Sequence, residues 1–465
     1  MKFLHYLLLV APLATTLRLD RRGKVVYDGY KIFRVTPGDD IAAFESHLES
    51  LEAIDLTHNH GHIGEEHFDV AVPPENLSAF EELNFTSTVL SEDLGADIAL
   101  EGDLAKYPGR ELSAAALPDF SWFSAYHDYA DHLVFLEDIH SSFSSNSELI
   151  TAGKSFEGRD IQGIHLWGSS GKGSKPAIVW HGNVHAREWI SSKVVEYLTY
   201  QLVANYGNDT TIKGFLDNYD FYILPIVNPD GFIYTQTTNR LWRKNRQTRS
   251  GTSAIGTDVN RNWPYKWDGE GSSTSPGSVL NRNKWDILFV VDKNHICYHL
   301  AKRVFDTTNG VDANRPLLPR YRGAAAGDTP ENTGIRTLGD QLTNTTGIKL
   351  YVDWHSYGQY ILTPYGYSCT AATTNQDKQN SLAKSLATAI EKPYGTRFTA
   401  GPTCATLYAT AGGSNDYVTD VNKAEYGWAI ELRDTGRNGF TLPADQILPT
   451  GIEIWEGIKY LFANF

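Results

Sequence analysis

The chain has 465 residues, enough for two or three domains, and its 41% hydrophobic and 21% charged residues are typical of a folded globular protein. Its 55 acidic residues outnumber 41 basic ones, which gives a formal net charge of −14. That charge argues against nucleic acid as a partner, because phosphate groups would be repelled.

The N-terminus has the layout of a secretory signal peptide. Lys2 precedes an apolar run at residues 7–10, and small residues follow at positions 14–16. We therefore expect residues 1–16 to be removed on export, with a secreted or, alternatively, a vacuolar destination. A buried helix at the start of a domain is the competing interpretation. No other apolar run is long enough to span a bilayer, so no membrane partner is expected.

Export agrees with the presence of N-glycosylation sequons, which are acceptor sites in exported proteins. There are four of them, at Asn76, Asn84, Asn208 and Asn344. The chain has only three cysteines, which are Cys297, Cys369 and Cys404. In an oxidising compartment two of them could pair and one would be left over.

Residues 17–112 are expected to form a separate small unit. Its predicted strands are residues 25–27, 30–35 and 67–72, and its predicted helices are residues 41–51 and 73–83. Elements of this size predict a small α+β domain. The unit also holds three histidines at alternate positions, His58, His60 and His62. They could form a second metal site or a solvated loop, and the loop is favoured because no carboxylate or cysteine stands at ligand spacing.

A linker is expected at residues 101–117, which include Lys106, Arg110 and a run of alanines. Basic residues in an exposed linker are natural sites of protease cleavage.

From about Trp122 onward, strand-like and helix-like segments alternate, which predicts an α/β fold with a central sheet covered by helices. The predicted strands are residues 177–181, 221–227, 349–354 and 428–432, and the predicted helices are residues 190–206 and 454–462. In such folds functional sites collect at the carboxyl ends of strands. His185, Glu188 and His355 all follow strands in this way.

His185 and Glu188 lie three residues apart, and both side chains are of types that bind zinc. Arg187 stands between them and is suited to gripping a carboxylate with two hydrogen bonds. A catalytic zinc site usually has three protein ligands and a water. His355 is the best candidate for the third ligand, although a histidine at a strand end is by itself more often a core or surface residue.

Six segments of the chain resemble, in their residues and in their order, motifs of the zinc metallocarboxypeptidases of the carboxypeptidase A/B family. The resemblance is to the proenzyme form of that family. They are residues 185–189 (HAREW), 239–244 (NRLWRK), 258–263 (DVNRNW), 355–357 (HSY), 407–408 (LY) and 431–436 (ELRDTG). The resemblance extends from about residue 122 to the C-terminus. It implies an α/β catalytic domain at residues 113–465, with a central mixed twisted sheet flanked by helices, preceded by an inhibitory α+β open sandwich at residues 17–112.

The resemblance also implies roles for individual residues. His185, Glu188 and His355 would bind one zinc ion and leave a position for water. Glu431 would be the general base that takes the proton of that water. Arg243 would stabilise the negative charge that develops on the carbonyl oxygen.

Five further residues are implied to bind the substrate, a peptide or protein C-terminus. Asn260 and Arg261 would hold the terminal carboxylate through directional, charge-assisted hydrogen bonds, and Tyr408 would close over it. Arg187 and Arg240 would guide the incoming chain. Asp258 either orients His185 from behind or is only a turn residue, and both alternatives stay open.

The side-chain pocket of the substrate is implied to have Asn415 at its base. Its implied neighbours are apolar or small, namely Leu362, Gly366, Leu407 and Ala429. A carboxylate at the base would favour lysine or arginine, whereas Asn415 is neutral. We therefore expect a preference for aromatic or aliphatic C-terminal residues.

The chain departs from the family in the length of the stretch between Glu188 and His355, which is longer than the family pattern. We assign the excess to residues 277–318, which include an apolar run and Cys297. The segment is either an insertion that packs on the surface or meets a partner, or retained intron sequence, which we favour because the flanks rejoin cleanly. If it is an addition, Cys369 and Cys404 are the original disulfide pair.

The favoured function is a secreted, monomeric zinc carboxypeptidase, made as an inactive precursor and released by an activating endoprotease. One alternative is a catalytically inactive carboxypeptidase-like protein with a role in secretion or cell-wall assembly. Loss of the general base or of a metal ligand would indicate such an inactive protein, but the base and all three ligands are present. Another alternative is a zinc deacylase or amidase of small molecules. The carboxylate-binding residues Asn260, Arg261 and Tyr408 argue against this alternative.

Overall fold

The computed structural model of the protein describes most of the chain, with gaps. The described residues are 18–20, 23–36, 44, 47–48, 50–57, 67–107, 109, 117–274, 286–292, 295–301 and 320–465. The expected signal segment lies outside the described residues, as do His58, His60, His62 and Arg110.

The N-terminal unit is an antiparallel sheet with helices, the α+β arrangement that its sequence pattern predicts. Its strands are β1 (Lys31–Thr36), β2 (Ile54–Asp55), β3 (Phe68–Val72) and β4 (Thr86–Ser91), in the spatial order β2-β3-β1-β4. Its described helices include Leu77–Glu82 and Leu94–Ala99. Phe33, Val35, Phe44 and Phe68 pack together on one face of this sheet. Within the described part of the chain, the predicted strand at residues 25–27 makes one bridge, between Leu19 and Val25.

The C-terminal part is built on an eight-stranded mixed sheet in the order β13-β12-β14-β11-β7-β8-β6-β5. The strands of this part of the chain are β5 (Ser147–Lys154), β6 (Asp160–Leu166), β7 (Ala177–Gly182), β8 (Asp220–Leu224), β9 (Asp286–Asp292), β10 (His295–Ala301), β11 (Ile348–His355), β12 (Tyr360–Thr363), β13 (Thr399–Pro402) and β14 (Tyr426–Glu431). The four central strands β14, β11, β7 and β8 are parallel, while β12 and β6 flank them in antiparallel pairing. The predicted central mixed sheet is therefore confirmed.

Helices cover both faces of this sheet, which explains why its central strands are buried and mostly apolar. The longer helices are Tyr129–Ser142, Trp189–Asn205, Thr210–Asn218, Pro229–Thr237, Pro330–Thr343, Gln376–Tyr394 and Ile447–Ala463. On one face Trp180, Trp354 and Trp428 are buried in one core with residues of the helices Trp189–Asn205, Gln376–Tyr394 and Ile447–Ala463. On the other face Val179 and Tyr351 pack in a second, smaller core.

The parallel pairing brings three strand ends together. β11 lies between β7 and β14, with Trp354 opposite Gly182 and His355 opposite Glu431. His185 and Glu188 lie in the turn that joins β7 to the helix Trp189–Asn205. The sheet thus places these four side chains at one edge, where the carboxyl ends of neighbouring parallel strands meet.

The residues on either side of the suspected addition at 277–318 lie next to each other in the fold. Ser273 pairs with Tyr321 in an isolated bridge, and the Ser273 amide donates to the Arg320 carbonyl at 2.8 Å. The Arg322 amide donates back to the Ser273 carbonyl at 3.0 Å. Between these positions, β9 and β10 pair only with each other among the described strands.

Candidate active site

Two histidines and a glutamate converge at the edge of the sheet. The Nδ1 atom of His185 lies 2.8 Å from Glu188 Oε1 and 3.1 Å from His355 Nδ1, and Glu188 Oε2 lies 3.0 Å from His355 Nδ1. The candidate ligand atoms all lie within 4.8 Å of one another, and all three residues are buried. Two imidazole nitrogens and a carboxylate are the donor set of a catalytic zinc site with an open position. The residues present therefore fit the expected zinc ion.

The electrostatics of this cluster also suit a cation. Burial alone would raise the pKa of Glu188, but the neighbouring His185 and His355 hold that pKa well below its ordinary value. The carboxylate is therefore ionised and ready to act as a ligand.

The turn that carries His185 and Glu188 is pinned by hydrogen bonds to its own backbone. Asn183 adopts a left-handed conformation (φ 55°), which asparagine tolerates better than most residues. Its amide N–H donates to Ser191 Oγ at 2.8 Å, and Ser191 Oγ donates to the Glu188 carbonyl at 2.7 Å. These bonds fix the direction in which both ligands leave the backbone.

An aspartate lies behind each histidine. Asp258 Oδ1 lies 3.2 Å from His185 Nε2, and Asp258 Oδ2 accepts a hydrogen bond from Arg243 Nε at 3.0 Å. Asp258 also caps the short helix Val259–Arg261, so both roles left open for it are found together. The second aspartate, Asp353, was not predicted, although it stands two residues before His355 on a strand and therefore shares its face.

The candidate base Glu431 is 5% exposed and lies beside His355 across the β11–β14 pair. Burial raises its pKa well above the ordinary value, and the charge of Glu188 adds to this effect, while His355 and Arg243 oppose it. A carboxyl group with a raised pKa next to a metal site is suited to taking up a proton.

The same site is lined by the residues implied to bind the substrate and the oxyanion, which are Arg243, Arg261, Asn260 and Tyr408. Arg243 Nη1 lies 3.8 Å from Glu188 Oε1, so its guanidinium stands directly beside the ligand cluster. Arg261 donates from Nη1 to the Asn260 carbonyl at 2.9 Å and from Nη2 to the Tyr408 hydroxyl at 3.5 Å. The structure thus brings together the four residues that the motifs single out for the oxyanion and the terminal carboxylate.

A small apolar cluster adjoins Tyr408, which also contacts Arg261. Leu362, Leu407 and Ala429 form a small cluster on which Tyr360 and Tyr408 pack. The Asn415 side chain is buried, and its Nδ2 donates to Thr403 Oγ1 at 2.9 Å. Thr403 was not predicted as a neighbour of this residue.

Gly366 allows close packing beside this cluster, because a Cβ atom there would lie 2.1 Å from Thr410 Oγ1.

A disulfide joins Cys369 and Cys404.

The N-terminal unit pairs with Arg240, and Arg187 is buried beside Arg240. Arg240 Nε donates to Glu101 Oε2 at 2.7 Å, and its Nη1 donates to the Arg187 carbonyl at 2.8 Å. Arg187 is 1% exposed, lies against the Phe440 ring, and has a pKa that burial lowers to about 9. The two arginines expected to guide a substrate are therefore covered in this structure.

Further contacts join the N-terminal unit to the same side of the molecule. The Tyr357 hydroxyl donates to Asp69 Oδ2 at 2.8 Å, and the Tyr27 hydroxyl donates to Asn239 Oδ1 at 2.6 Å. Tyr357 stands two residues after His355 in the chain, so its contact with Asp69 lies close to a candidate metal ligand.

The start of the expected linker contacts the C-terminal part. Glu101 is buried against Arg240, and Tyr107 is buried with its hydroxyl donating to Asp138 Oδ2 at 2.8 Å. Lys106 is paired with Asp128. Glu101 and Tyr107 are therefore buried against the C-terminal part, whereas Gly102, Asp103 and Lys106 between them are exposed.

The sequons differ in their surroundings. Asn84, Asn208 and Asn344 are exposed. Asn76 is half-buried, and its Nδ2 donates to the Leu51 carbonyl at 2.8 Å, which occupies the atom that a glycan would modify.

Among the helices of the described part of the chain, none combines the length and the apolar character needed to cross a membrane.

Comparison with protein families finds a match to the family model described as zinc carboxypeptidase, over residues 132–286 and 280–457. A metallocarboxypeptidase A-like protein of Trichophyton verrucosum is 41% identical over 442 residues, which cover 94% of each chain. Carboxypeptidase A2 of Rattus norvegicus is 32% identical over 74% of this chain and 70% of its own length.

Among solved structures, thrombin activatable fibrinolysis inhibitor has a similar fold. The TM-score is 0.75, with 23% sequence identity, over 94% of this chain and 98% of that one. The similarity covers the N-terminal unit as well as the eight-stranded sheet.

Proposed function

The chain belongs to the zinc carboxypeptidase family, and from this premise we propose that it is a secreted enzyme, made as a zymogen, that removes aromatic or aliphatic residues from peptide C-termini. Metallocarboxypeptidase activity with one zinc ion follows from the family and from the triad His185, Glu188 and His355. The observation that carries the proposal is that Glu431 and Arg243 stand beside this triad at the edge of the sheet.

The mechanism divides the work between the ion and the side chains. His185, Glu188 and His355 would hold the zinc ion, which would supply a water of lowered pKa and polarise the scissile carbonyl. Glu431 would take a proton from the attacking water and pass it to the amine nitrogen as the peptide bond breaks. Arg243 donates hydrogen bonds to the carbonyl oxygen as its negative charge develops, and Asp258 holds the guanidinium in place for this.

Cleavage is restricted to the end of a chain because two residues bind a free carboxylate. Arg261 and Asn260 are adjacent and lie close to the ligand cluster, with Asn260 Nδ2 3.1 Å from His355 Nε2. Arginine matches a carboxylate with two parallel hydrogen bonds, which fixes both the position and the orientation of the substrate. Tyr408 then covers the bound end.

The preference for apolar C-terminal residues rests on the pocket. Leu362, Leu407 and Ala429 line it, and the Asn415 amide at its base carries no charge. Burying a lysine or arginine side chain here would leave its charge without a partner, which is costly.

Replacing Asn415 with aspartate is expected to raise kcat/KM for substrates that end in lysine, because the new carboxylate would pair with the buried ammonium. The same change should lower kcat/KM for substrates ending in phenylalanine, since the charge would face a ring. The ratio of the two kcat/KM values, measured on blocked dipeptides, is the readout. An unchanged ratio would remove Asn415 from the pocket.

The proposal of a zymogen is supported by the contact of the N-terminal unit with Arg240, a residue expected to guide the substrate. This unit pairs Glu101 with Arg240, so the Arg240 guanidinium is engaged while the unit is bound, and Arg187 is buried beside Arg240. Secretion is supported by the exposed sequons at Asn84, Asn208 and Asn344 and by the disulfide, because disulfides persist in oxidising compartments.

The purified full chain should show no hydrolysis of blocked dipeptides ending in Phe, Leu, Lys or Glu. After limited trypsin digestion in the linker, it should hydrolyse those ending in Phe and Leu. A chelator should abolish the activity and added zinc should restore it. Hydrolysis that resists the chelator, or none after verified cleavage, would contradict the proposed function.

A further inference from the structure

A second carboxylate stands behind the zinc triad, on the strand that carries His355. Asp353 is fully buried, and its Oδ2 lies 3.1 Å from His355 Nε2. Residues two apart on a strand point to the same face, so β11 itself aims both side chains at the site. The same Oδ2 accepts a hydrogen bond from Ser414 Oγ at 2.7 Å.

The position of the His355 proton follows from these contacts. Nδ1 faces Glu188 and His185 in the ligand cluster, so a neutral imidazole that binds metal there carries its proton on Nε2. Two polar atoms lie 3.1 Å from Nε2, which are Asp353 Oδ2 and Asn260 Nδ2. Asn260 Oδ1 already accepts from the Ser414 amide, so its Nδ2 is a donor and cannot receive the proton. Asp353 is therefore the acceptor.

We propose that Asp353 is a positioning residue for the zinc site, which fixes the tautomer and the ring orientation of His355 and raises its basicity as a ligand. It does for His355 what Asp258 does for His185, so that both imidazoles are backed by an aspartate. The inference needs only the zinc site and is independent of secretion, of the zymogen and of substrate preference.

The carboxylate is itself held from its other side. His181 on β7 lies opposite Asp353 in the sheet register, and its Nδ1 is 3.4 Å from Asp353 Oδ1. His181 in turn contacts the Tyr351 hydroxyl through Nε2. With Ser414 on one oxygen and His181 near the other, Asp353 has little freedom to turn away from His355.

The test is Asp353→Asn in the full chain, with zinc affinity measured by competition against a chromophoric chelator. The carboxamide keeps the shape of the side chain but removes the charge that strengthens the ligand. The dissociation constant for zinc is expected to rise about 10- to 100-fold. The zinc-induced increase in Tm should shrink accordingly, since a weaker ligand stabilises the folded state less.

Asp220→Asn is the matched control, because Asp220 belongs to another buried aspartate–histidine pair, which lies away from the candidate metal site. Asp220 Oδ1 lies 2.8 Å from His165 Nε2, and Asp220 pairs with Ala177 at the opposite end of β7 from the site. This variant should lower the Tm of the zinc-free and zinc-loaded protein alike and leave the zinc dissociation constant unchanged. A purely structural Asp353 would behave in the same way, and that result would overturn the proposal.

Ser414→Ala covers the case in which Asp353→Asn does not fold. It removes one hydrogen bond from Asp353 Oδ2 and leaves every charge in place, so a smaller rise in the zinc dissociation constant, of a few-fold, is expected. If neither variant that folds changes the dissociation constant by more than twofold, Asp353 has no part in positioning the ligand.

Discussion

Replacing Glu431 with glutamine is expected to lower kcat by about 10²- to 10⁴-fold, which is the usual contribution of a positioned general base. Glutamine fills the same space beside His355 but cannot take a proton from water. Zinc affinity should stay close to that of the unaltered enzyme, because Glu431 is not among the three ligand residues. The measurement is kcat on a blocked dipeptide ending in phenylalanine after linker cleavage, together with the zinc content.

A matched control separates this effect from a general loss of stability. Glu196 is also a fully buried glutamate, but it bonds to His132 and Trp122 on the far side of the helix Trp189–Asn205. Glu196→Gln should lower Tm without changing kcat per zinc-loaded molecule. If Glu431→Gln kept kcat within tenfold of the unaltered enzyme, another group would have to be the base.

Replacing Arg261 with alanine is expected to lower kcat/KM on substrates with a free C-terminal carboxylate by roughly 30- to 4,000-fold, which corresponds to the loss of about 2–5 kcal/mol for one partner of a buried, hydrogen-bonded charge pair. The guanidinium lies beside Asn260 and Tyr408 and is almost fully buried. Without it, a carboxylate would enter the site with its charge uncompensated. Most of the effect should appear in KM, because the contact is made in the bound substrate as well as in the transition state.

The same dipeptide with an amidated C-terminus supplies the control for Arg261→Ala. The unaltered enzyme should cleave the amide poorly, and the substitution should leave that low rate nearly unchanged. An equal loss on both substrates would show that Arg261 does not recognise the carboxylate. It would then favour an amidase that does not require a free chain end.

The central strands could be predicted because parallel strands that are covered on both faces are mostly apolar, as β7, β11 and β14 are. β12 was missed because it is only four residues long. β5 was missed because, as an edge strand, most of its residues are half-exposed and give no clear alternation.

The active site was predictable to the extent that its residues lie in local motifs. The motif at residues 185–189 was sufficient to indicate zinc, whereas Asp353 stands alone within an apolar strand and only its distance of two residues from His355 could have drawn attention to it. The pairing of Glu101 with Arg240 joins distant parts of the chain, and no periodicity reports such a contact.

The bridge between Ser273 and Tyr321 closes the added segment at residues 277–318 into a loop. Ser273 and Tyr321, on either side of the added segment, are neighbours in the fold. The length of the segment therefore affects the folding free energy mainly through the entropy of loop closure, which costs about 0.6 kcal/mol for each doubling of the number of residues in the loop. His185 and Glu188 lie in the turn after β7, His355 lies on β11 and Glu431 lies on β14, so none of them is part of this stretch. Messages that retain or lack the codons of this stretch would encode the same candidate catalytic residues.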